Sequence, residues 1–162
     1  MKKIFLFIAA VVITVSSFAN DESPLVVSAG NVKNIELGSN MKVTIINAAS
    51  LKSGVNSNPV DVFEKLNIEV SNGTMRLELR RRTNKNERVY IIVDDLSSLT
   101  IGENTFVDSQ DFFDTKKIKI IIADQSYVRL LTNATINAYS MDGLSIDIQT
   151  KRFSPQKDKT PF

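Results

Sequence analysis

Three residue types are missing from this chain of 162 residues: cysteine, histidine and tryptophan. The absence of cysteine excludes disulfides, thiol nucleophiles, thiolate metal ligands and the lipid attachment that bacterial lipoproteins carry. The absence of histidine excludes a Ser-His-Asp triad and removes the most common general base near neutral pH. We therefore expect no catalytic residue, no metal site and no cofactor.

The first 19 residues have the pattern of a secretory signal peptide. Two lysines precede an apolar run over residues 4–15, and small side chains at Ser17 and Ala19 mark a cleavage site. The run has about a dozen residues, whereas a helix that crosses a bilayer needs roughly 20. The pattern predicts a cleaved signal peptide over residues 1–19, with an uncleaved N-terminal anchor as the alternative.

Removal of this segment leaves 143 residues with equal numbers of basic and acidic side chains. The twenty Lys and Arg residues become eighteen without Lys2 and Lys3, which matches the eighteen Asp and Glu residues. A neutral chain has no general attraction to nucleic acid or to acidic membranes. No second long apolar run follows, so we expect no transmembrane segment in the mature chain and an extracytoplasmic location: periplasm, cell surface or medium.

The mature length suits one domain. Residues 20–31 contain Pro24 and read as an exposed leader. Residues 32–150 read as a single β domain, and residues 151–162, rich in Lys, Pro, Gln and Thr, read as a flexible tail.

The clearest local prediction is a β-hairpin from Leu66 to Arg80. The dipeptide Asn72-Gly73 suits a two-residue type I′ turn, whose central residues both need positive φ. The turn sets three apolar pairs on one face of the hairpin: Leu66 with Leu79, Ile68 with Leu77 and Val70 with Met75.

Two weaker signals precede the hairpin. Apolar residues with period two between Ile35 and Ile45 predict half-buried strands. Asn58 and Pro59 favour a short helix up to Leu66, because Asn caps a helix and Pro suits its first position. The intervening segment reads as a loop with a strand fragment at residues 51–55.

Short strands separated by polar corners recur after residue 98. Strand, corner, strand, repeated three times at intervals near twenty residues, is typical of a solenoid. The predicted strand segments are Leu99–Ile101, Phe106–Val107, Ile118–Ile122, Tyr127–Leu131, Ile136–Ala138 and Leu144–Ile148. The expected fold class is all-β: N-terminal antiparallel strands with a hairpin, leading into a short right-handed β-helix.

The order of these features resembles a known family. The alternating strands up to Ile45, the segment Phe63-Glu64-Lys65-Leu66, the Asn72-Gly73 hairpin and Leu99-Thr100-Ile101-Gly102 look like the GIN-type head domain described for autotransporter adhesins. The resemblance spans roughly residues 32–148 and implies an exported bacterial protein with a right-handed β-helical fold. It implies no catalytic residues. The chain departs from the family's Ser-Gly-x-Gly corners at Gly102-Glu103-Asn104 and Ala123-Asp124-Gln125.

The candidate binding site is a basic segment after the hairpin. Its positive charge favours contact with a polyanion such as an acidic glycan or a lipid head group. The alternative is a solvated connection that only keeps the surface charged. The candidate residues are Arg80, Arg81, Arg82, Lys85 and Arg88.

Two acidic groups and a set of aromatic residues have weaker functional readings. Three carboxylates at Asp108, Asp111 and Asp114 supply oxygen ligands for calcium, although their spacing fits no EF-hand loop. Asp94-Asp95 is read as a turn, because adjacent strand residues point to opposite faces and do not form a glycosidase pair. Four aromatic residues have two readings, a platform for sugar or the packing that is more typical of a β core; they are Phe112, Phe113, Tyr127 and Tyr139.

Two hypotheses about function follow. The first is an exported, non-catalytic, adhesin-like or structural binding domain of the cell envelope, whose partner is a surface glycan or another envelope protein. The alternative is a carbohydrate-active enzyme on a β-helix scaffold. Two or more acidic side chains that converge in a groove would favour the enzyme.

Overall fold

The computed structural model describes residues 24–51, 59–80 and 87–141. The predicted signal peptide, most of the predicted strand fragment at residues 51–55, the strand expected at Leu144–Ile148 and the C-terminal tail lie outside these ranges. Within them, no helix combines the length and the apolar composition that a membrane crossing requires.

The described residues are mostly β, with one short α-helix. In chain order the elements are β1 (Leu25–Gly30), β2 (Asn34–Leu37), β3 (Lys42–Asn47), α1 (Pro59–Lys65), β4 (Leu66–Ser71), β5 (Thr74–Leu79), β6 (Val89–Val93), β7 (Ser98–Ile101), β8 (Phe106–Phe113), β9 (Lys117–Ile122), β10 (Tyr127–Thr132) and β11 (Thr135–Ser140). A single 3-10 turn, Ala48–Ser50, follows β3. The all-β prediction is confirmed.

Strands β4 and β5 form the predicted hairpin. Their register pairs the six apolar residues as expected, with Leu66 opposite Leu79 and Val70 opposite Met75. Asn72 and Gly73 have φ of 50° and 73°, the left-handed values that the turn requires. Helix α1 runs directly into β4, as the Asn58-Pro59 signal predicted.

The strands form two sheets. Sheet A has the order β1-β6-β3-β8-β10, and sheet B has the order β11-β9-β7-β2-β5-β4. Every strand pairing in the described residues is parallel except the β4–β5 hairpin. The predicted N-terminal antiparallel strands are therefore wrong outside the hairpin: β1, β2 and β3 each pair in parallel with strands that come much later in the chain.

The hydrophobic core lies between the sheets. One large cluster joins apolar side chains from both, including Val43 and Ile91 of sheet A and Leu77 and Leu99 of sheet B, all at most 3% exposed. Burying side chains of this size is the main source of stability for a domain without disulfides. The alternating residues of each strand then form the two outer faces, where a ligand has access.

The β-helix itself is not shown. From β6 onward, successive strands alternate between the sheets. A simple solenoid stacks its strands in chain order, whereas β6 lies between β1 and β3, and β2 lies between β5 and β7. Period-two alternation specifies a strand and its buried face, but it does not specify which strand lies alongside.

The predicted exposed leader is wrong where it overlaps β1. Leu25 is fully buried, and Val27 and Ala29 are 6% and 7% exposed. Strand β1 pairs with β6 along its length. The alternating apolar residues Leu25, Val27 and Ala29 point into the core, and their burial outweighs the breaking effect of Pro24, which stands before the first strand residue.

The corners between the sheets pack tightly on one another. Gly102 follows β7 and donates its N–H to the carbonyl of Leu37 at 2.8 Å. A Cβ at Gly102 would lie 2.7 Å from the carbonyl carbon of Gly38. Asn104 and Gln125 have positive φ in the corners that follow β7 and β9, so the turns form there without the family's Ser-Gly-x-Gly sequence.

Candidate binding surfaces

The outer face of sheet B carries rows of side chains that cross all six strands. The registers place one row in the order Glu69, Arg76, Glu36, Thr100, Ile121, Tyr139. A second row runs Ser71, Thr74, Asn34, Ser98, Lys119, Asn137. The two ends of the face therefore differ in charge: acids flank a cation at the β4–β5–β2 end, and lysines lie among neutral residues at the β9–β11 end.

The first of these, which we term the paired end, comprises Glu69, Arg76 and Glu36. The Nη2 and Nε atoms of Arg76 donate to Oε2 of Glu36 at 2.6 and 2.9 Å. The side-chain hydrogen bond that Arg76 donates to Glu36, followed by the negative charge of Glu36, raises the pKa of Arg76 above an already high ordinary value. This cation stays protonated at neutral pH and is already engaged by a neighbouring carboxylate.

The second end contains a shallow, open groove of about 570 Å³. We term it the lysine groove. It is lined by residues of β9 and β11 and the residue that follows β11: Lys117, Lys119, Ile121, Asn137, Tyr139, Ser140 and Met141.

The two lysines of the groove are exposed and have no acidic neighbour on the adjoining strands. Lys119 lies between Ser98 and Asn137, and Lys117 lies beside Thr135. Within the part of the chain that the structure describes, neither lysine forms an ion pair. No carboxylate of the described residues neutralises their positive charges.

Exposed apolar and aromatic surface adjoins these lysines. Tyr139 is 37% exposed and Met141 is 57% exposed. Tyr139 lies beside Ile121 in the register of β9 and β11. A half-exposed tyrosine ring offers a flat apolar face together with a polar hydroxyl.

The outer face of sheet A carries an internal polar network. Arg88 donates through Nη1 to Thr44 Oγ1 at 2.7 Å and to Asp108 Oδ2 at 2.8 Å. Thr44 donates to Asp108 Oδ1 at 2.6 Å. The Arg88 guanidinium also lies 5.9 Å from the ring centre of Phe106. Hydrogen bonds thus join β3 and β8 to the residue that precedes β6.

The basic segment predicted from the sequence is only partly within the described residues. Arg80 is exposed, and its N–H donates to the carbonyl of Lys65 at 2.9 Å. Arg88 is held in the network just described, and its neighbour Glu87 pairs with Lys65. Arg81, Arg82 and Lys85 lie outside the described residues. The role of the segment in binding stays a prediction. Within it, the side chain of Arg88 already forms an ion pair with Asp108.

Two of the carboxylates considered for calcium, Asp108 and Asp111, accept hydrogen bonds from within the protein. Asp108 accepts from Arg88, and Asp111 Oδ2 accepts from the N–H of Asn47 at 3.3 Å. No group of three or more acidic residues in the described ranges is arranged to hold a metal ion. Asp95 pairs with Lys33 at 3.2 Å and accepts from the N–H of Leu96, in the segment between β6 and β7.

The aromatic residues do not form one platform. Phe113 is 1% exposed and belongs to the core. Tyr127 stacks on Phe106 of the neighbouring strand, with ring centres 5.2 Å apart, on sheet A. Tyr139 lies on sheet B. Sequence spacing alone does not show that β10 and β11 belong to different sheets.

The lysine groove was missed from the sequence, although part of its signal was present. Lys117 and Lys119 alternate with the buried residues Ile118 and Ile120, so their outward direction follows from the period of a strand. The groove also requires β11 beside β9, and a neutral β7 on the other side. Those neighbours are tertiary information.

Comparison with protein families identifies a match over most of the chain. The family described as "Putative auto-transporter adhesin, head GIN domain" matches residues 27–149, which is most of the chain. Neither the curated proteins nor the solved structures contain a match. The match begins within β1 and extends beyond the last described strand, so it covers both sheets and both outer faces. This chain belongs to the GIN-type head domain family of auto-transporter adhesins.

Proposed function

We propose that this protein is an exported, adhesin-like binding domain of the cell envelope that holds its partner without transforming it. Membership of an adhesin head family supports the adhesin-like role and export. The predicted signal peptide over residues 1–19 also supports export from the cytoplasm. The absence of histidine and cysteine supports a role without nucleophilic catalysis.

The lysine groove is the observation that carries this proposal. It is open and is formed mainly by two strands of a sheet, and its lining combines two lysines, an amide, a phenol ring and a thioether. A surface of this kind binds an extended ligand from the side, because its contacts are spread along two neighbouring strands. An enclosed pocket for a small substrate would be differently shaped.

The enzyme alternative receives no support from the groove. Glycoside hydrolysis by the usual route needs two carboxyl groups on either side of the scissile bond. The residues that line the groove include no Asp or Glu. The carboxylates of Asp108, Glu36 and Asp95 are engaged by arginine or lysine.

Binding without turnover is tested with an array of polysaccharides. The purified exported protein is applied to immobilised acidic and neutral polysaccharides, and soluble oligosaccharides from any retained class are incubated with it and sized by chromatography. We expect retention on at least one class and recovery of oligosaccharides at their original length. Shortened products would establish the enzyme instead, and no retention on any class would contradict a glycan-binding role.

Export is tested separately by the mass of the mature protein. Cleavage after Ala19 predicts that the protein recovered from periplasm, cell surface or medium begins at Asn20. Intact-mass measurement on each cell fraction reports both the location and the cleavage point. An uncleaved chain that remains in the membrane fraction would show that residues 1–19 form an anchor.

A further inference from the structure

The lysines of the groove differ from most other cations of the described residues in their surroundings. Arg76, Arg88, Lys33 and Lys65 each have a carboxylate within ion-pair distance. Lys117 and Lys119 lie on one strand with serine, threonine and asparagine as cross-strand neighbours. Two like charges on the same face repel each other, and an external anion relieves that repulsion.

The spacing of these lysines suits a repeating anion. Residues two apart on a strand project to the same face about 6.6 Å apart along the strand. The groove thus presents two positive charges in a line along β9, with Asn137 beside Lys119 and Tyr139 on the parallel strand β11. This is an arrangement for a linear polymer that carries acidic groups at regular intervals.

We infer that the lysine groove binds an acid-bearing polysaccharide, whose carboxylate or sulfate groups contact Lys117 and Lys119 and whose sugar ring packs on Tyr139. The inference rests on the proposed binding function and names its ligand class. The Asn137 amide, with two N–H donors and an acceptor oxygen, is placed to hydrogen-bond sugar hydroxyls.

The groove is less suited to an anionic membrane. Stable attachment to a lipid surface requires a broad apolar face in addition to positive charge. In the groove, large exposed apolar surface is limited to Tyr139 and Met141, and Ile121 is half-buried. A sugar ring needs only one aromatic face and a few hydrogen-bond partners, and the groove supplies both.

The test uses three polysaccharides as probes: alginate, which carries carboxylates; heparin, which carries sulfates; and dextran, which is neutral. Binding to each immobilised probe is measured by interferometry at several salt concentrations. We expect alginate or heparin to bind with an affinity that falls as salt rises, and dextran to bind at least tenfold more weakly, since charge screening acts only on the ionic contacts.

The variant Lys117→Gln/Lys119→Gln removes the two charges. We expect it to lose about tenfold in affinity for the acidic probe, because each exposed ion pair contributes a factor of up to roughly five. The matched control, Lys33→Gln/Lys42→Gln, removes the same charge elsewhere on the surface and should stay within about twofold of wild type. Equal losses in both variants would overturn the inference, since the binding would then depend on net charge alone.

Tyrosine variants separate stacking from charge. Tyr139→Ala should weaken acidic-probe binding severalfold, and Tyr139→Phe should restore it, because phenylalanine keeps the ring face and loses only the hydroxyl. A Tyr139→Phe variant as weak as Tyr139→Ala would contradict stacking. Thermal unfolding of each variant shows whether a loss reflects binding or folding.

The same assay tests two alternatives: binding through the basic segment, and binding to lipid vesicles. Replacement of Arg80–Arg82 by serine should leave acidic-probe binding within twofold; a larger loss than that of the lysine variant would assign the ligand to the basic segment. Vesicles of phosphatidylglycerol and phosphatidylcholine that bind as tightly as alginate, with the same lysine dependence, would overturn the polysaccharide in favour of lipid. Binding to dextran alone would overturn the acidic ligand but leave the proposed binding function intact. Failure of all three probes would overturn the polysaccharide inference, and the proposed binding function would then be judged by the wider array and by a protein partner.

Discussion

The two ends of the outer face of sheet B are built from the same kind of strand and differ in what their cations meet. At the paired end, Arg76 lies between Glu69 and Glu36 and hydrogen-bonds to Glu36 at 2.6 Å. In the lysine groove, Lys119 lies between Ser98 and Asn137. Both cations alternate with buried apolar residues. Whether a cation meets a carboxylate within the described residues therefore depends on the neighbouring strands, and the proposed binding surface lies at the end where it does not.

The largest loss of stability is expected from a substitution in the hydrophobic core beneath the paired end. Leu77 is fully buried in β5. Leu77→Ala should lower the free energy of unfolding by about 2–5 kcal/mol, because it removes transfer energy and leaves a cavity. Urea denaturation measures the loss. Ile121→Ala on the groove face, where the side chain is half-buried, should cost at most about 1.5 kcal/mol. Equal costs would contradict the placement of the core between the sheets.

A smaller loss of stability is expected from substitutions in the corners that follow β2 and β7, between the two ends of the face. Gly102→Ala places a methyl group 2.7 Å from the carbonyl carbon of Gly38, so the corner must move apart. We expect a loss of about 1–3 kcal/mol, typical of overpacking. Gly38→Ala, whose nearest contacts are at 3.3 Å, should cost less. The reverse order, measured by thermal unfolding, would contradict this stacking of corners.

A further variant gives Lys119 of the lysine groove an acidic cross-strand neighbour like the one that Arg76 has at the paired end. Asn137→Glu places a carboxylate beside Lys119, as Glu36 stands beside Arg76. Alginate or heparin binding should fall about tenfold, while stability changes by less than about 1 kcal/mol because the new pair is exposed. Asn137→Gln is the control and keeps the charge of the groove unchanged. Unaltered binding by Asn137→Glu would show that Lys119 does not contact the ligand.

The smallest change in stability is expected when the cation of the paired end is removed. Arg76→Gln leaves Glu36 and Glu69 without their cation, on a surface where solvent and salt screen the repulsion. The melting temperature should fall slightly at low salt and match wild type at high salt. The raised pKa of Arg76 means that its stabilising charge is lost only as pH rises through that value, so no change with pH is expected from it near neutrality. A loss of polysaccharide binding would show that the paired end contributes to the site.

Local features were predictable where a short stretch of chain contains the whole physical reason. The Asn72-Gly73 turn and its flanking alternation specify the hairpin register, and the structure has that register. Helix α1 follows from Asn58 and Pro59 in the same way. The central residues of β7, β9, β10 and β11 follow from apolar period and polar corners, since each signal lies within a few residues. Strand β8 was predicted only over Phe106–Val107, whereas it continues through polar residues to Phe113.

Features that depend on distant pairing were not predictable. Strand β1 was taken for an exposed leader, because nothing near Leu25 shows that it pairs with Val89. The ion pair of Arg88 with Asp108 is also invisible in the local sequence, and the role of Arg88 in binding stays a prediction. In both cases the partner lies far along the chain, and nothing in the neighbouring residues identifies it.

By itself, the sequence determined the β class, the hairpin register and the buried face of most strands, since these follow from backbone geometry and the burial of alternating apolar residues. It also determined the lack of thiol and imidazole chemistry. The tertiary structure decided the order of strands in each sheet, and with it which cations meet carboxylates. Hydrogen bonds between parallel strands are the same whatever the side chains, so strand order is selected by packing across the whole core. The lysine groove is a product of that selection.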